Sequence, residues 1–247
     1  IRSLFLPESG CKWGCFDYNQ QEPRLVVHYA SLDQDTSAFN VKDSYLNSNA
    51  DFHTIVAKMA DIPRDQAKTI NLGLFYGMGK AKLQAELGVS KEKAEELFSI
   101  YHNRVPFVKN LMKSVSNRAQ QRGQIRTLLG RLCRFHLWEP NQFGMHKALP
   151  FEQAVQEHGP GIRRAYTYKA LNKLIQGSAA DMTKKSMLDL YKEGIVAHIQ
   201  IHDELDLSIE SDEKAKKIVE IMENAVKLEV PNKVDYESGK NWGDIYD

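Results

Sequence analysis

Two acidic stretches in this chain sit at the ends of apolar, β-prone runs. One is GCFDYNQQEPR, with Asp17 closing the run; the other is IQIHDELDLSI (199–209), with His202, Asp203 and Glu204 at its centre. A tight hairpin between two such runs favours Asn-Gly or Asp-Gly, residues that accept the backbone the turn needs. Carboxylates in that position call for a chemical reason. If the two strands adjoin in one sheet, Asp17 and Asp203 converge on one metal site. Hard divalent cations such as Mg²⁺ take oxygen ligands and are held by one or two carboxylates plus substrate phosphates. A pair of such ions clamps the attacking and leaving oxygens of a phosphoryl transfer. Taken singly, each aspartate is better explained as a turn former at a strand end.

A second constellation lies on one helix. Arg64, Lys68, Leu72 and Tyr76 recur every four residues and share a slowly drifting face. At about 1.5 Å per residue the face spans ~18 Å, the scale of a nucleoside triphosphate. Its cations would meet phosphates and its aromatic end a base. Cations near a helix N-terminus oppose the helix dipole, which points to an anion there. An amphipathic helix with a basic exposed edge is the plain alternative.

The net charge of +1 says nothing about partners, but its distribution does. Between Leu97 and Trp138 there is no Asp or Glu, while Arg104, Lys109, Lys113, Arg118, Arg122, Arg126, Arg131 and Arg134 all fall there. Such a stretch is an electrostatic footprint for a polyanion. Solvated helix faces, the competing explanation, usually mix both signs.

The elements that must position these groups follow from patterning. Ile1–Pro7 and Lys12–Tyr18 read as strands around a Pro/Gly turn, and polar sequence of low periodicity follows to about Ala50. Helices are expected over Phe52–Ala60, Arg64–Tyr76, Ser90–Tyr101 and from Pro106 to about Gln121. Arg126–His136 is ambiguous and Pro140–Gly161 reads as loop. A long helix over Tyr166–Glu193, with a bend expected at Gly177, precedes the 199–209 hairpin, an amphipathic helix Ser211–Leu228 and a final short strand. Strands at both ends with helices between them predict an α+β fold, a small antiparallel sheet carrying a helical insertion.

With 247 residues, 42% of them hydrophobic, the chain can bury one large core or two smaller ones. No run of ~18 apolar residues suggests a membrane span, and no signal peptide is evident. The first residue is Ile1, which reads as a start within a longer protein. Cys11, Cys15 and Cys133 match no zinc spacing and read as incidental thiols of a reducing compartment.

Together these stretches resemble family A DNA polymerases, the group of bacterial DNA polymerase I and T7-type phage enzymes. RDQAKTINLGLFYG (64–77) is similar to the family's fingers helix. DYNQQEPR (17–24) is similar to its first palm motif, usually DYSQIELR, and IHDE (201–204) to its second. TLLGR (127–131), NKLIQGSAAD (172–181) and the closing GKNWGDIYD agree in order across the chain. RLCRFHLWEP leans towards a phage-type member.

The resemblance implies roles. Asp17, Asp203 and Tyr18 form the expected set for two Mg²⁺ ions, with Mn²⁺ as a substitute. Glu204 is a supporting acid near the metals or primer end. Arg64 and Lys68 hold the incoming triphosphate, and Lys68 protonates the pyrophosphate leaving group. His53 adds a phosphate contact. Glu22 blocks the ribose 2′ position, Leu72 stands at the 3′ side where the family usually has Phe or Tyr, and Tyr76 stacks near the nascent pair. Asn172, Gln176 and His202 touch primer and template, while Arg131 and Arg126 contact template phosphates. Asn19, Gln21 and Pro23 depart from the usual motif, which implies altered packing with the chemistry kept. No thumb and no proofreading exonuclease are evident.

The expected layout is a palm over residues 1–45 and 161–247 and fingers over 46–160. The expected activity is template-directed DNA synthesis on primer-template DNA with dNTPs. The expected location is the cytoplasm of a bacterium or phage-infected host, with an organellar origin left open. No membrane contact is expected, and a processivity factor is left undefined. The alternatives are a single-subunit RNA polymerase, disfavoured by Glu22, and a fragment that binds DNA and nucleotide with little catalysis.

Overall fold

The computed structural model describes residues 1–47, 51–75, 78–142, 144 and 146–245. Chain contacts divide it into two compact units, one of Ile1–His28, Lys42–Asn49 and Ser178–Asp247, the other of Tyr29–Val41 and Ala50–Gly177. In chain order the elements are β1 (Lys12–Tyr18), α1 (Gln21–Leu32), α2 (Phe39–Asn47), α3 (Phe52–Ala60), α4 (Arg64–Phe75), α5 (Lys80–Leu87), α6 (Lys91–Arg104) and α7 (Pro106–Arg122). Then come β2 (Gln124–Arg126), β3 (Leu132–Arg134), β4 (Leu137–Pro140), β5 (Leu149–Pro150), α8 (Phe151–His158), β6 (Ile162–Arg164) and α9 (Ala170–Lys192). The chain closes with β7 (Ile199–Ile201), β8 (Glu204–Ile209), α10 (Asp212–Asn224) and β9 (Val234–Gly239). The architecture is α+β, as expected. Among the described residues no helix is long and apolar enough to cross a membrane.

The first unit is built on an antiparallel sheet of order β7-β8-β1-β9. Strand alternation sends Phe16, Tyr18, Leu205, Leu207 and Ile209 to one face, where all are buried. Helix α10 packs Ala215, Ile218 and Met222 against β8 and β9. Its start is set locally: Ser211 accepts from Lys214 N–H at 3.2 Å, and Asp212 and Glu213 suit the helix dipole. The opposite face carries Trp13, Cys15 and Asp17 from β1 and Glu204, Asp206 and Ser208 from β8.

The N-terminal segment departs from its expected form. Ile1–Pro7 is not a strand; Arg2–Leu4 form a 3-10 turn. Both edges of β1 are already taken, by β8 and β9. Phe5 instead packs edge-on against Trp242 at 5.3 Å, and Trp242 N–H donates to the Phe5 carbonyl at 3.1 Å.

The region expected to lack periodicity holds α1 and α2. Pro23 occupies the first turn of α1, where a missing N–H costs nothing. Leu25, Val26 and Val27 are fully buried, so packing overrides the poor helix propensity of the valine pair. The loop-rich reading of 140–161 missed α8, and the ambiguous 126–136 segment resolves into a β2–β3 hairpin.

The second unit is mostly helical. Helices α3 and α4 pack together, as do α5 and α6, around Phe52, Ile70, Leu83, Leu97, Tyr101 and Phe107. Ser90 caps α6 through Lys93 N–H, Pro106 opens α7, and Gly123 ends it with a left-handed backbone. A buried chain crosses this core: Tyr101 Oη donates to Asn71 Oδ1 at 2.7 Å, and Asn71 Nδ2 meets His53 Nδ1 at 3.0 Å. Burial lowers the pKa of both His53 and His102 below 6.5. The unfolded chain therefore binds protons more readily than the folded one. The stability these groups give is complete above pH 6.5 and lost as pH falls below it. Amides of α4 and α6 will exchange faster at about pH 5 than at about pH 7 once intrinsic exchange rates are divided out. Equal protection at both would contradict this.

Candidate active site

The four-stranded sheet gathers acids by register. Glu204 stands opposite Asp17 on β8, and Asp235 stands opposite it on β9. The β7–β8 connection is a two-residue turn, His202–Asp203, since Ile201 pairs with Glu204. Tyr18 N–H reaches the Asp203 carbonyl at 3.4 Å and joins the turn to the end of β1. His202 carries the left-handed backbone, φ 52°, that Asn or Gly would normally supply. The strain sits where an exposed side chain and a carboxylate are delivered side by side.

The electrostatics are unfavourable without a cation. Although water reaches Asp17, desolvation by its surroundings and then the charges of Asp203, Glu204, Asp235 and Asp206 push its pKa to about 7. Burial raises Asp203 too, opposed by a hydrogen bond from its own backbone and by His202. Like charges on directly opposed strand positions are destabilising. An all-oxygen donor set with this mutual repulsion fits a hard divalent ion. Tyr18 contributes no side chain to this face: its hydroxyl donates to the Met222 carbonyl at 2.5 Å and lies 2.6 Å from Ser186 Oγ. Any ligand from Tyr18 is its carbonyl oxygen.

The turn behind Asp17 is held by a residue with no role in the sequence reading. Arg24, buried, donates from Nε to the Asn19 carbonyl at 2.7 Å and from Nη1 to the Pro231 carbonyl at 2.7 Å. Its guanidinium also lies 4.6 Å over the Tyr45 ring. These bonds lock Asn19 and Gln20, the latter at φ 53°, so that β1 stops at Tyr18 and α1 starts at once. Glu22 is half-buried in the first turn of α1. The motif's closing arginine was the available signal.

In the helical unit, Arg64 and Lys68 lie exposed one turn apart on α4. Arg64 Nε donates to Asp51 Oδ2 at 2.6 Å, and Asp51 also caps α3. No ion pair of Lys68 is present among the described residues. Leu72 is half-buried, and Tyr76 lies outside the described residues. His53 is buried with its Nδ1 taken by Asn71, so its neutral ring is poorly disposed to meet a phosphate.

The family profile described as DNA polymerase family A matches residues 1–244. The chain belongs to DNA polymerase family A. It is 35% identical to a DNA-directed DNA polymerase of Pseudomonas phage M6, over 98% of this chain and 40% of that protein. It is 34% identical to DNA polymerase I of Geobacillus stearothermophilus, over 99% of this chain and 27% of that protein. A solved structure of the POL domain of Pol1 from M. smegmatis, in complex with DNA primer-template and dNTP, superposes with a TM-score of 0.78 at 27% identity. That match covers all of this chain and 43% of the other. The chain thus spans less than half the length of these relatives.

Two further motifs of this family A chain meet within the helical unit. Arg131, ending TLLGR, donates from Nη2 to the Gly177 carbonyl at 2.6 Å. The same loop is closed by Thr127 N–H to the Arg131 carbonyl at 2.9 Å, with Gly130 at φ 88°. Helix α9 runs through Gly177 unbroken, and the glycine serves close approach: a Cβ there would lie 2.6 Å from Thr127 Cγ2. Gly177→Ala will therefore destabilise the protein by about 1–3 kcal/mol, through overpacking. Thr127→Ser removes the clashing methyl and should restore part of the loss in a denaturant titration; no recovery would place the cost elsewhere. Asn172 (half-buried) and Gln176 (exposed) sit one turn apart on α9.

The acid-free stretch covers the end of α6, all of α7 and the β2–β3 hairpin. Arg118, Arg122 and Arg126 line one cleft of about 180 Å³ with Tyr29 and Gln124. Arg118 is partly neutralised by Asp33 at 2.8 Å, and Arg126 Nη1 donates to the Gly130 carbonyl at 3.1 Å.

Proposed function

We propose that the chain is the palm and fingers of a DNA-directed DNA polymerase that adds deoxynucleotides to a primer 3′ end. The observation that carries this reading is the convergence of Asp17 and Asp203, from the two palm motifs, on one acid-lined sheet end. In this reading residues 1–45 and 161–247 serve as palm and 46–160 as fingers. The partners are primer-template DNA and dNTPs, and the site of action is the cytoplasm of a bacterium or phage-infected host.

Asp17, Asp203 and the Tyr18 carbonyl would hold two Mg²⁺ ions, which supply Lewis-acid stabilisation of the attacking and leaving oxygens. The chain's own groups do the rest. Arg64 and Lys68 neutralise the triphosphate, and Lys68 gives a proton to the departing pyrophosphate. Glu22 closes the space a 2′-hydroxyl would need. Asn172, Gln176 and His202 orient primer and template. Arg126 and Arg131 face phosphates, which carry no sequence information and so suit a template-tolerant enzyme.

Primer extension by the isolated chain, with dNTPs and rNTPs in competition, tests the reading. Extension with dNTP preference is expected, and Glu22→Ala should admit ribonucleotides. The gain expected is roughly tenfold or more, the scale of a desolvated hydroxyl left without a partner. Leu72→Tyr should separately admit dideoxynucleotides, because a tyrosine hydroxyl can replace the missing 3′-OH. Preferential rNTP use by the unmodified chain would favour the RNA polymerase alternative. Primer-template binding without extension would leave the binding-fragment alternative.

A further inference from the structure

Away from the acidic end, the same sheet face buries a carboxylate in largely apolar surroundings. Asp206 is fully buried; neither carboxylate oxygen has a partner in good hydrogen-bond geometry, and the polar groups that face it are the Cys15 thiol, the Trp13 indole N–H and the Glu204 carboxylate. Its direct register partners are Cys15 on β1 and Ile199 on β7. Above them lies an apolar cluster of Trp13, Cys15 and Trp242, flanked by Ile199, Ile201 and Ile245. A carboxylate in such surroundings is costly unless it is protonated, paired or bound to a metal.

Cys15 Sγ, one Glu204 oxygen and one Asp206 oxygen all lie within 4.8 Å of one another. Among the described residues this is the one set of three His, Cys, Asp or Glu ligand atoms so close. Cys15 and Asp206 are buried, while Glu204 is half-buried and gives the site its opening. We propose that Cys15, Glu204 and Asp206 form a binding site for a borderline-soft divalent cation of the Zn²⁺ class, distinct from the Asp17–Asp203 site.

The donor set selects the ion. A thiolate with two carboxylates suits Zn²⁺ or Cd²⁺, whereas Mg²⁺ demands oxygen ligands in octahedral array. Three protein ligands leave the fourth position of a tetrahedral ion to water. Binding forms one metal–sulfur and two metal–oxygen bonds and releases the Cys15 thiol proton to solvent. The ion's two positive charges offset two of the three negative charges of its ligands, so the loaded site keeps one net negative charge. Sequence spacing gave no hint of this site, because its ligands are brought together by strand register. Loading it engages Glu204, the cross-strand neighbour of Asp17, so Zn²⁺ should slow synthesis. That consequence rests on the polymerase reading; the binding test does not.

The experiment uses the full chain without DNA or nucleotide, in excess Mg²⁺ to occupy hard-oxygen sites. Titration with Zn²⁺ should show one tight site, and Cd²⁺ should give the ultraviolet absorption of a sulfur–cadmium bond. Cys15→Ser should abolish that absorption, and Asp206→Asn should weaken Zn²⁺ binding roughly tenfold or more. X-ray absorption of the Zn²⁺-loaded, unmutated protein, which requires no variant to fold, should find one sulfur at about 2.3 Å among oxygen ligands. Absence of binding, absence of sulfur, or a cadmium band that survives Cys15→Ser (placing the ion on Cys11 or Cys133) would overturn the proposal.

Discussion

Asp17→Asn and Asp203→Asn are each expected to abolish primer extension, by on the order of 10³-fold or more, and to leave DNA affinity unchanged or slightly improved. Asparagine keeps the shape of the side chain and one oxygen but loses the charge that holds a hard cation. Loss of several kcal/mol of charge stabilisation at the reacting oxygens corresponds to that factor. DNA affinity survives because removing a negative charge beside a polyanion cannot weaken attraction. The same substitutions should raise the thermal midpoint of the cation-free protein. Asp17 is held at a pKa of about 7 by desolvation and by neighbouring acids, and either change relieves that repulsion. Activity lost with stability gained is the signature of a site strained for function. Activity lost with stability also lost would mean that these aspartates are structural. Near-normal extension by either variant would remove it from the metal set.

Lys68→Ala is expected to slow nucleotide addition by roughly 10²–10⁴-fold with little change in primer-template affinity. Lys68 is exposed on α4 with no ion pair among the described residues, whereas its neighbour Arg64 is engaged by Asp51 at 2.6 Å. The uncommitted charge is the one suited to move a proton. Lys68→Arg separates the two duties of the residue. A guanidinium restores positive charge beside the triphosphate, but its pKa is too high to release a proton readily. Apparent dNTP affinity should return while the maximal single-turnover rate stays low. Full recovery by arginine would reduce Lys68 to an electrostatic anchor. Unchanged kinetics in Lys68→Ala would take α4 out of the reaction.

The sequence exposed those elements whose signals are local. Ser90, Pro106 and Gly123 mark helix ends by capping and backbone preference, and α6 and α7 begin or end at them. Asp17 and Asp203 stood out because apolar strands led up to them. What escaped depends on partners distant in the chain. Val26 and Val27 are poor helix formers, yet α1 forms because burial there outweighs propensity. Ile1–Pro7 looked like a strand, but no free edge of β1 remains to receive it. Arg24 gained its role from Asn19 and Pro231, far apart in sequence. Asp206 drew no reading from its sequence, because its burial depends on a face where Trp13 and Trp242 cluster with Cys15, residues far apart in the chain. Tyr76, expected to stack on the nascent pair, lies outside the described residues.

The strand order β7-β8-β1-β9 has a consequence for how the chain is made. On a ribosome β1 emerges before helices α1 to α9, yet it is a central strand whose two neighbours, β8 and β9, are translated only after them. Until they appear, Trp13, Cys15 and Phe16 have no sheet to enter, and their backbone groups stay open to pairing with other chains. The helices between them make short-range contacts and can pack during synthesis. Assembly of the four-stranded sheet is therefore deferred until β8 and β9 have been translated. A chain arrested before β8 would hold a packed helical unit and a dangling, aggregation-prone strand, with one acid of the site in place and the other not yet made.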